Sequence, residues 1–379
     1  MNFNFSEEQQ QLRDTLERYV RKDYAFEKRR EIIRSAGGWS REVWQQFAEL
    51  GVLAIGLPED HGGLGGGAFD TLLVMEALGR GMVVEPYLST VVLGAGLIAR
   101  NGSETQKSEL LPAVASGELL LALAHYEAAG RYDIRHVASS ARKDGNGYVL
   151  NGAKSVVLHG AAADRLLVSA RTTGGLRDAS GVSLFLVDAK AAGVTIKDYP
   201  TQDGQRAAEV ELKNVRVPAS AMVGAEGAAL AAIELAIDQG IAALCAEAVG
   251  NMAALIEATV GYLKTRKQFG VPIGSFQALQ HRAVEMYLHA EQARSMSYLA
   301  ADKLSSTDAA ERRRAISAAR VLVGNAARYV GQQAIQLHGG IGVTDELAVG
   351  HYFKRLTMIN QLFGDVDHHL GLFSAAMAA

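Results

Sequence analysis

Near the end of the chain, QLFGDVDHHL (Gln361–Leu370) gathers Asp365, Asp367, His368 and His369 within five residues. Carboxylates and imidazoles at that density suit two kinds of chemistry. One is a metal site, which the ligand types allow. Adjacent histidines, however, rarely point at one ion, and no metal is expected. The other is proton transfer, in which a positioned carboxylate or imidazole accepts a proton from a reacting group.

Two further stretches could hold a ligand. TRKQFGVPIGSFQALQHRAVEMY (Thr265–Tyr287) places Arg266 and Lys267 at the end of a helical run. Cations there oppose the negative end of the helix dipole. Arg266 could equally clamp a phosphate with its planar fork of donors. Phe269 would then offer a flat face, and Gln277 and Gln280 would offer amides able to read a ring edge. GQQAIQLHGGIGV (Gly331–Val343) ends a helical run on Gly339 and Gly340. These are a plain helix cap or a place where a ligand meets bare backbone, with Gln336 in reach. LPEDHGGLGGG (Leu57–Gly67) has the glycines of a phosphate loop but no Walker lysine, and reads as a tight inter-helix turn. Cys245 sits in the apolar run IAALCAEAVG and reads as a small buried residue rather than a nucleophile.

The elements that must position these residues change in texture along the chain. Up to about residue 120 the pattern is helical. SEEQQQLRD opens with Ser6 as a helix start, and Leu12, Leu16 and Val20 follow at helical spacing. From 121 to 228 short Val- and Leu-rich runs alternate with Gly, Asn and Asp, which reads as a β domain of meander or barrel type, with KDGNGYVLNG as a hairpin. From 229 the chain is helical again, led by a run of about 39 residues, roughly 58 Å long. That run is apolar nearly all round its middle, so it is expected to be buried, between subunits.

The totals bound the function. With 379 residues, two or three packed domains are expected. The 38 basic and 41 acidic residues leave a net charge of −3, which argues against nucleic acid. No apolar stretch runs uninterrupted for the length a membrane span needs. MNFNFSEEQQQLRD is no signal peptide, and the expected compartment is the cytoplasm. The single cysteine excludes an internal disulfide and a cysteine-rich metal site.

Taken together, RKQFGVPIGSFQALQ and QLHGGIG resemble the two C-terminal signatures of the acyl-CoA dehydrogenase family. LPEDHGGLGGG resembles that family's first-domain loop, and LKNVRVPASAMVGAEGAAL its β-domain exit. The resemblance covers essentially the whole chain and looks closest to the small-subunit type of pimeloyl-CoA dehydrogenase, one of a pair of unequal subunits. It implies an N-terminal all-α domain over 1–120, a central β-barrel or sandwich over 121–228 and a C-terminal four-helix bundle over 229–379. It also implies FAD as cofactor, dehydrogenation of an acyl-CoA to the trans-2-enoyl-CoA by a carboxylate base, and transfer of electrons to an electron-transfer flavoprotein. The assembly would be a homo-oligomer or an α2β2 tetramer in which each FAD is shared. Arg266, Phe269, Gln277, Gln280, Gln336, Gly339 and Gly340 would be this chain's contribution to a neighbour's FAD.

The departures from the family pattern are concentrated on the flavin-ring side. Where members carry TEPGAGSD this chain has HYEAAGRYD (His125–Asp133), keeping Glu127 and Gly130. Where they carry WITNG it has VVLHG, with Val156 for the tryptophan and Leu158 for a threonine whose hydroxyl donates toward the flavin. The glutamate base of YEGT falls on Phe363 or, with one insertion, on Gly364. The alternative base position in the long helix falls on Gly240. Asp365, then Asp238 and Glu247, remain as candidate bases. The other reading is a non-catalytic partner that completes the FAD site of a homologous chain. An oxidase or monooxygenase on the same fold is a lesser reading. The substrate suggested is a dicarboxylyl-CoA or another bulky acyl-CoA. Arg131 and Arg135 would be partners for a distal carboxylate, or simply surface arginines.

Overall fold

The computed structural model describes residues 5–378. In chain order come α1 (Glu7–Lys22), α2 (Phe26–Arg34), α3 (Arg41–Glu49), α4 (Ala68–Gly81), α5 (Gly96–Asn101) and α6 (Glu104–Ala115). Strands β1 (Leu121–Ala124), β2 (Ser140–Asp144), β3 (Gly147–Leu158), β4 (Arg165–Arg171), β5 (Val182–Asp188), β6 (Val194–Pro200), β7 (Arg206–Pro218) and β8 (Met222–Val223) follow. The chain closes with α7 (Ala229–Thr265), the small strands β9 (Lys267–Gln268) and β10 (Val271–Pro272), then α8 (Gln277–Lys303), α9 (Ala309–His338), α10 (Ala348–Ile359) and α11 (Val366–Ala378). The helix–sheet–helix order expected from the sequence is the order observed.

These elements form two compact units. The first takes the chain up to Ile32, Ala68–Val83 and everything from Ile241; the second takes Ile33–Gly67 and Val84–Gly240. In the first, α1 starts where its sequence says. Ser6 accepts from the Gln9 backbone while the Gln9 side chain accepts from the Ser6 N–H, a reciprocal cap. Leu16 and Val20 face inward. Where α4 meets α7, a Cβ on Gly79 would lie 2.2 Å from the Glu247 carbonyl and one on Gly250 1.9 Å from the Glu76 carbonyl. Only glycines permit that crossing. The middle of α7, from Ile241 to Met252, is buried within the single chain. This corrects the expectation of inter-subunit burial: α4, α10 and their neighbours already cover that stretch. Cys245 is buried there, and burial pushes its thiol up to about 11.

In the second unit an eight-stranded sheet runs in the order β6-β7-β3-β2-β4-β5-β8, with β1 parallel to β4. The hairpin read from KDGNGY is β2–β3, with Asp144 opposite Gly147. Leu150, Val157, Leu166, Val168, Phe185, Val187 and Val210 fill its core. The glycine-rich loop at 57–67 turns its own N–H groups inward: those of Gly63, Leu64, Gly65 and Gly66 donate to the Pro58, Ala54, Leu57 and Ile55 carbonyls. Those amides are spent on the turn rather than on a phosphate.

Candidate cofactor and active site

The residues proposed to hold the cofactor all lie in the first unit, at the exit of α7 and the end of α9. After Thr265 the chain makes a two-residue hairpin in which Lys267 pairs with Pro272 and Gln268 with Val271. The turn residues Phe269 and Gly270 both have left-handed backbone, φ 52° and 81°, as a type I′ turn demands. The turn throws the Phe269 ring outward, 91% exposed, edge-on to Phe276 at 6.1 Å. Arg266 and Gln277 are exposed. Gln280, one turn into α8, donates to the Gly274 carbonyl at 2.8 Å. At the other end, Tyr262 stacks on His338 with ring centres 4.5 Å apart. Tyr262 lies one helical turn before Arg266, and His338 immediately precedes Gly339, so the stack draws the two sequence signatures together. Gly339 caps α9 with φ 64°. No atom lies within 4 Å of where a Cβ would stand on Gly339 or Gly340, so their backbone is open. Gln336 is exposed one turn back.

The second unit carries the segments whose sequence departs from the family pattern. β3 bulges between Lys154 and Val157, and within VVLHG both Val156 (φ 53°) and His159 (φ 51°) adopt left-handed backbone. For a β-branched residue this is a strained conformation. The Val156 side chain, 47% exposed, has little packing to hold it there. Its N–H donates to Glu209, which also accepts from Tyr199, and His159 Nε2 lies 2.9 Å from the Val84 carbonyl. The bulge presents Val156 to solvent and turns His159 inward.

Beneath it lies a buried polar network that sequence reasoning missed. Lys154, 0% exposed, donates to Glu127 Oε1 at 2.7 Å, to the His125 carbonyl at 3.2 Å and to Ser169 Oγ at 3.1 Å. Glu127 also accepts from the N–H groups of Ala138 and Ser139 and from the Ser139 hydroxyl, and Ser169 bonds His125 Nδ1. Burial and the neighbouring Lys154 ammonium hold the His125 imidazole neutral, down to about 3. Burial opposes ionisation of Glu127, but Lys154 and the Ser139 donors outweigh it and hold the carboxyl at about 2. One signal was available: Lys154 keeps the inward alternation of Leu150 and Gly152 along β3.

The candidate bases are all occupied. At the turn after α10, Phe363 (φ 58°) and Gly364 (φ 114°) take left-handed backbone. The buried Arg320 guanidinium donates to the carbonyls of Ile359, Leu362 and Gly364. His369 bonds the Phe363 carbonyl through Nε2 and Ser317 through Nδ1; burial and Arg320 hold it down to about 4. Asp365 Oδ1 accepts from the His368 N–H at 2.8 Å and so caps α11. Glu247 is bound by both arms of Arg355, at 2.6 and 2.7 Å, with both side chains buried. Asp238, in the second unit, is buried and partnered. Among the described residues no three His, Cys, Asp or Glu side chains are grouped to hold a metal.

Comparison with known proteins matches the chain to one family. The models described as acyl-CoA dehydrogenase N-terminal, middle and C-terminal domain match residues 6–118, 122–215 and 226–377. The chain belongs to the acyl-CoA dehydrogenase family. Among its relatives, mitochondrial isovaleryl-CoA dehydrogenase of Pongo abelii is 32% identical, the match covering 92% of this chain and 84% of the relative. Among solved structures, a variant of the Tcur3481–Tcur3483 steroid ACAD is 29% identical with a TM-score of 0.88, covering 98% of each chain. The ChsE4–ChsE5 complex of Mycobacterium tuberculosis is 26% identical with a TM-score of 0.89, covering 100% of this chain and 99% of the other. Members are FAD flavoproteins and oxidoreductases acting on CH–CH groups. The open Gly339–Gly340 backbone, the exposed Phe269 ring and the guanidinium and amides beside them fit the pyrophosphate and adenosine of that cofactor.

Proposed function

We propose that this chain is a subunit of an FAD-dependent acyl-CoA dehydrogenase that converts an acyl-CoA to its trans-2-enoyl-CoA. We further propose that its own base position is vacated, so that it completes the FAD site of a homologous catalytic chain in an α2β2 assembly. One observation carries this reading: each carboxylate offered as a base is already committed. Glu247 is locked to Arg355, Asp365 caps α11, Asp238 is buried and partnered, and neither Phe363 nor Gly364, the two positions on which the family's glutamate would fall, can take a proton. Exposed apolar residues of the first unit, Val271, Val284, Tyr287, Leu288 and Val343, support an assembly that covers them.

When bound, FAD supplies the acceptor for the hydride that leaves the substrate's β-carbon. On this reading Arg266 would neutralise the pyrophosphate, Phe269 would offer a flat face to the adenosine, and Gln277, Gln280 and Gln336 would offer amides to its polar edges. The α-proton goes to a carboxylate of the homologous chain. The electron acceptor we propose is an electron-transfer flavoprotein, and the compartment the cytoplasm. A dicarboxylyl-CoA or a bulky acyl-CoA is the substrate class we propose.

The test is flavin content. The chain purified alone is expected to hold little FAD, and the chain co-expressed with a homologous partner a full complement, reduced by Arg266→Ala. A full complement in the isolated chain, bleached by an acyl-CoA, would overturn the partner reading in favour of catalysis through Asp365. Asp365→Asn then decides. Asparagine caps a helix as well as aspartate but accepts no proton, so a base at Asp365 shows as a loss of about 10²-fold or more in turnover.

A further inference from the structure

The turn that offers the open backbone of Gly339 and Gly340 has little of its own to hold it. From Gly339 to Glu346 only Gly342 is buried, while Ile341 and Val343 are 44% and 72% exposed. A segment with so few buried apolar contacts opens easily unless other bonds tie it down. Helix α10 supplies them. Gly350 comes so close to the turn that a Cβ there would lie 3.3 Å from both the Gly342 and the Thr344 carbonyls. Two bonds from α10 then reach the loop at Asp345. Lys354 Nζ donates to its carboxylate at 2.9 Å, and His351 Nε2 lies 3.2 Å from its backbone carbonyl. The first is an ion pair whose Asp345 side is 77% exposed, and water screens it. The second starts from a buried ring and is the firmer anchor.

His351 is itself held from behind. Arg29, buried in α2, donates through Nε to the Met82 carbonyl at 2.8 Å and through Nη1 to His351 Nδ1 at 3.2 Å. The Phe26 ring meets the imidazole edge-on, with centres 4.9 Å apart. A guanidinium carries donors alone, so Nδ1 must accept and the ring proton must sit on Nε2, the atom that faces Asp345. Arg29 thus selects the tautomer that can reach the loop. A second proton on Nδ1 would set donor against donor and charge against charge. The charged groups around the ring are Arg29 from α2, Lys354 from α10 and Asp345 from the loop, with Arg30 acting on Asp345. Burial, with Arg29 and Lys354 and against the Asp345 carbonyl, holds the imidazole below its ordinary value. The ring is therefore neutral at neutral pH.

We propose that His351 is a positioning residue: taking its tautomer from Arg29, it fixes the loop that follows Gly339 and Gly340 in the shape that receives FAD. This rests on the reading above, in which that open backbone meets a neighbour's cofactor, and adds a residue that acts through the loop.

The test is FAD affinity of the native assembly, read by flavin fluorescence, together with hydrogen exchange of the same protein stripped of flavin. His351→Asn keeps an acceptor for Arg29 but falls short of Asp345, whereas His351→Gln reaches Asp345 with an amide N–H. Asparagine is expected to weaken FAD binding about tenfold, the worth of one buried hydrogen bond. It is also expected to speed exchange of the amides at 340–346 while those of α2 keep their protection. Glutamine is expected to restore both. In wild type, FAD affinity is expected to fall as pH drops below ~6.5, the ordinary histidine value. That dependence is expected to shrink in His351→Gln, where His338 beside Gly339 is still present. The pH comparison needs only wild type and the glutamine variant, so it decides even where the asparagine variant fails to fold. Wild-type FAD affinity in His351→Asn, with affinity lost in Arg266→Ala, overturns this inference and leaves the proposed function standing. FAD affinity untouched by either change overturns both readings. Equal losses in the asparagine and glutamine variants, with the pH profile unmoved, overturn the positioning role and leave His351 a packing residue.

Discussion

Replacing Lys154 by methionine keeps the length of the side chain and removes its ammonium. Glu127 would then be a carboxylate 7% exposed, left with the Ala138 and Ser139 N–H groups and the Ser139 hydroxyl. Breaking a buried pair costs ~3–5 kcal/mol, because the remaining charge is stranded. Three neutral donors survive here, so we expect the low end, ~3 kcal/mol. The double variant Lys154→Met/Glu127→Gln removes the stranded charge and is expected to recover ~1–2 kcal/mol, since a pair replaced on both sides costs less than one broken on one side. Both tryptophans, Trp39 and Trp44, belong to the same unit as the pair, so urea unfolding followed by their fluorescence reads the stability of that unit. A single variant within ~1 kcal/mol of wild type, or a double variant less stable than the single, would refute the view that Glu127 depends on Lys154 for its charge.

Three other outcomes follow from the same geometry. Val156→Asn is expected to stabilise the second unit by ~1 kcal/mol, because asparagine tolerates left-handed backbone and the valine packs little; a lower melting temperature would contradict this. Gly79→Ala is expected to destabilise by more than the ~1–3 kcal/mol usual for overpacking, since the new methyl meets backbone of α7 that cannot swing aside, and thermal unfolding checks it. Acid is expected to destabilise the protein in two stages. His125 and His369 have folded values depressed to about 3 and about 4, so the unfolded chain binds more protons below pH ~6.5 and stability falls from there downward. Glu127, held at about 2, contributes stability above pH ~4.5 that is lost on further acidification. A melting temperature flat from pH ~7 to ~4 would count against the buried, neutral state of both histidines.

What the residues of this chain determine by themselves is local. Ser6 and Gln9 start α1 through a cap that spans three residues. Gly145 and Asn146 turn β2 into β3, and 37 residues rich in Ala, Leu and Ile, with no proline among them, make α7. The bare glycines after α9 and the outward Phe269 were legible for the same reason: backbone freedom and turn chemistry depend on near neighbours. Availability is not local. Glu247 stays a candidate base in the sequence until Arg355, 108 residues later, closes on it with both arms. The alternation along β3 points Lys154 inward, but only the folded sheet shows its partner, Glu127, 27 residues earlier. Asp365 lies close to the vacated base position, yet its oxygen is turned to the start of α11. The sequence lists carboxylates and cations. Only the tertiary structure decides which are spent on holding the fold, because a buried charge must be paired wherever along the chain its partner lies.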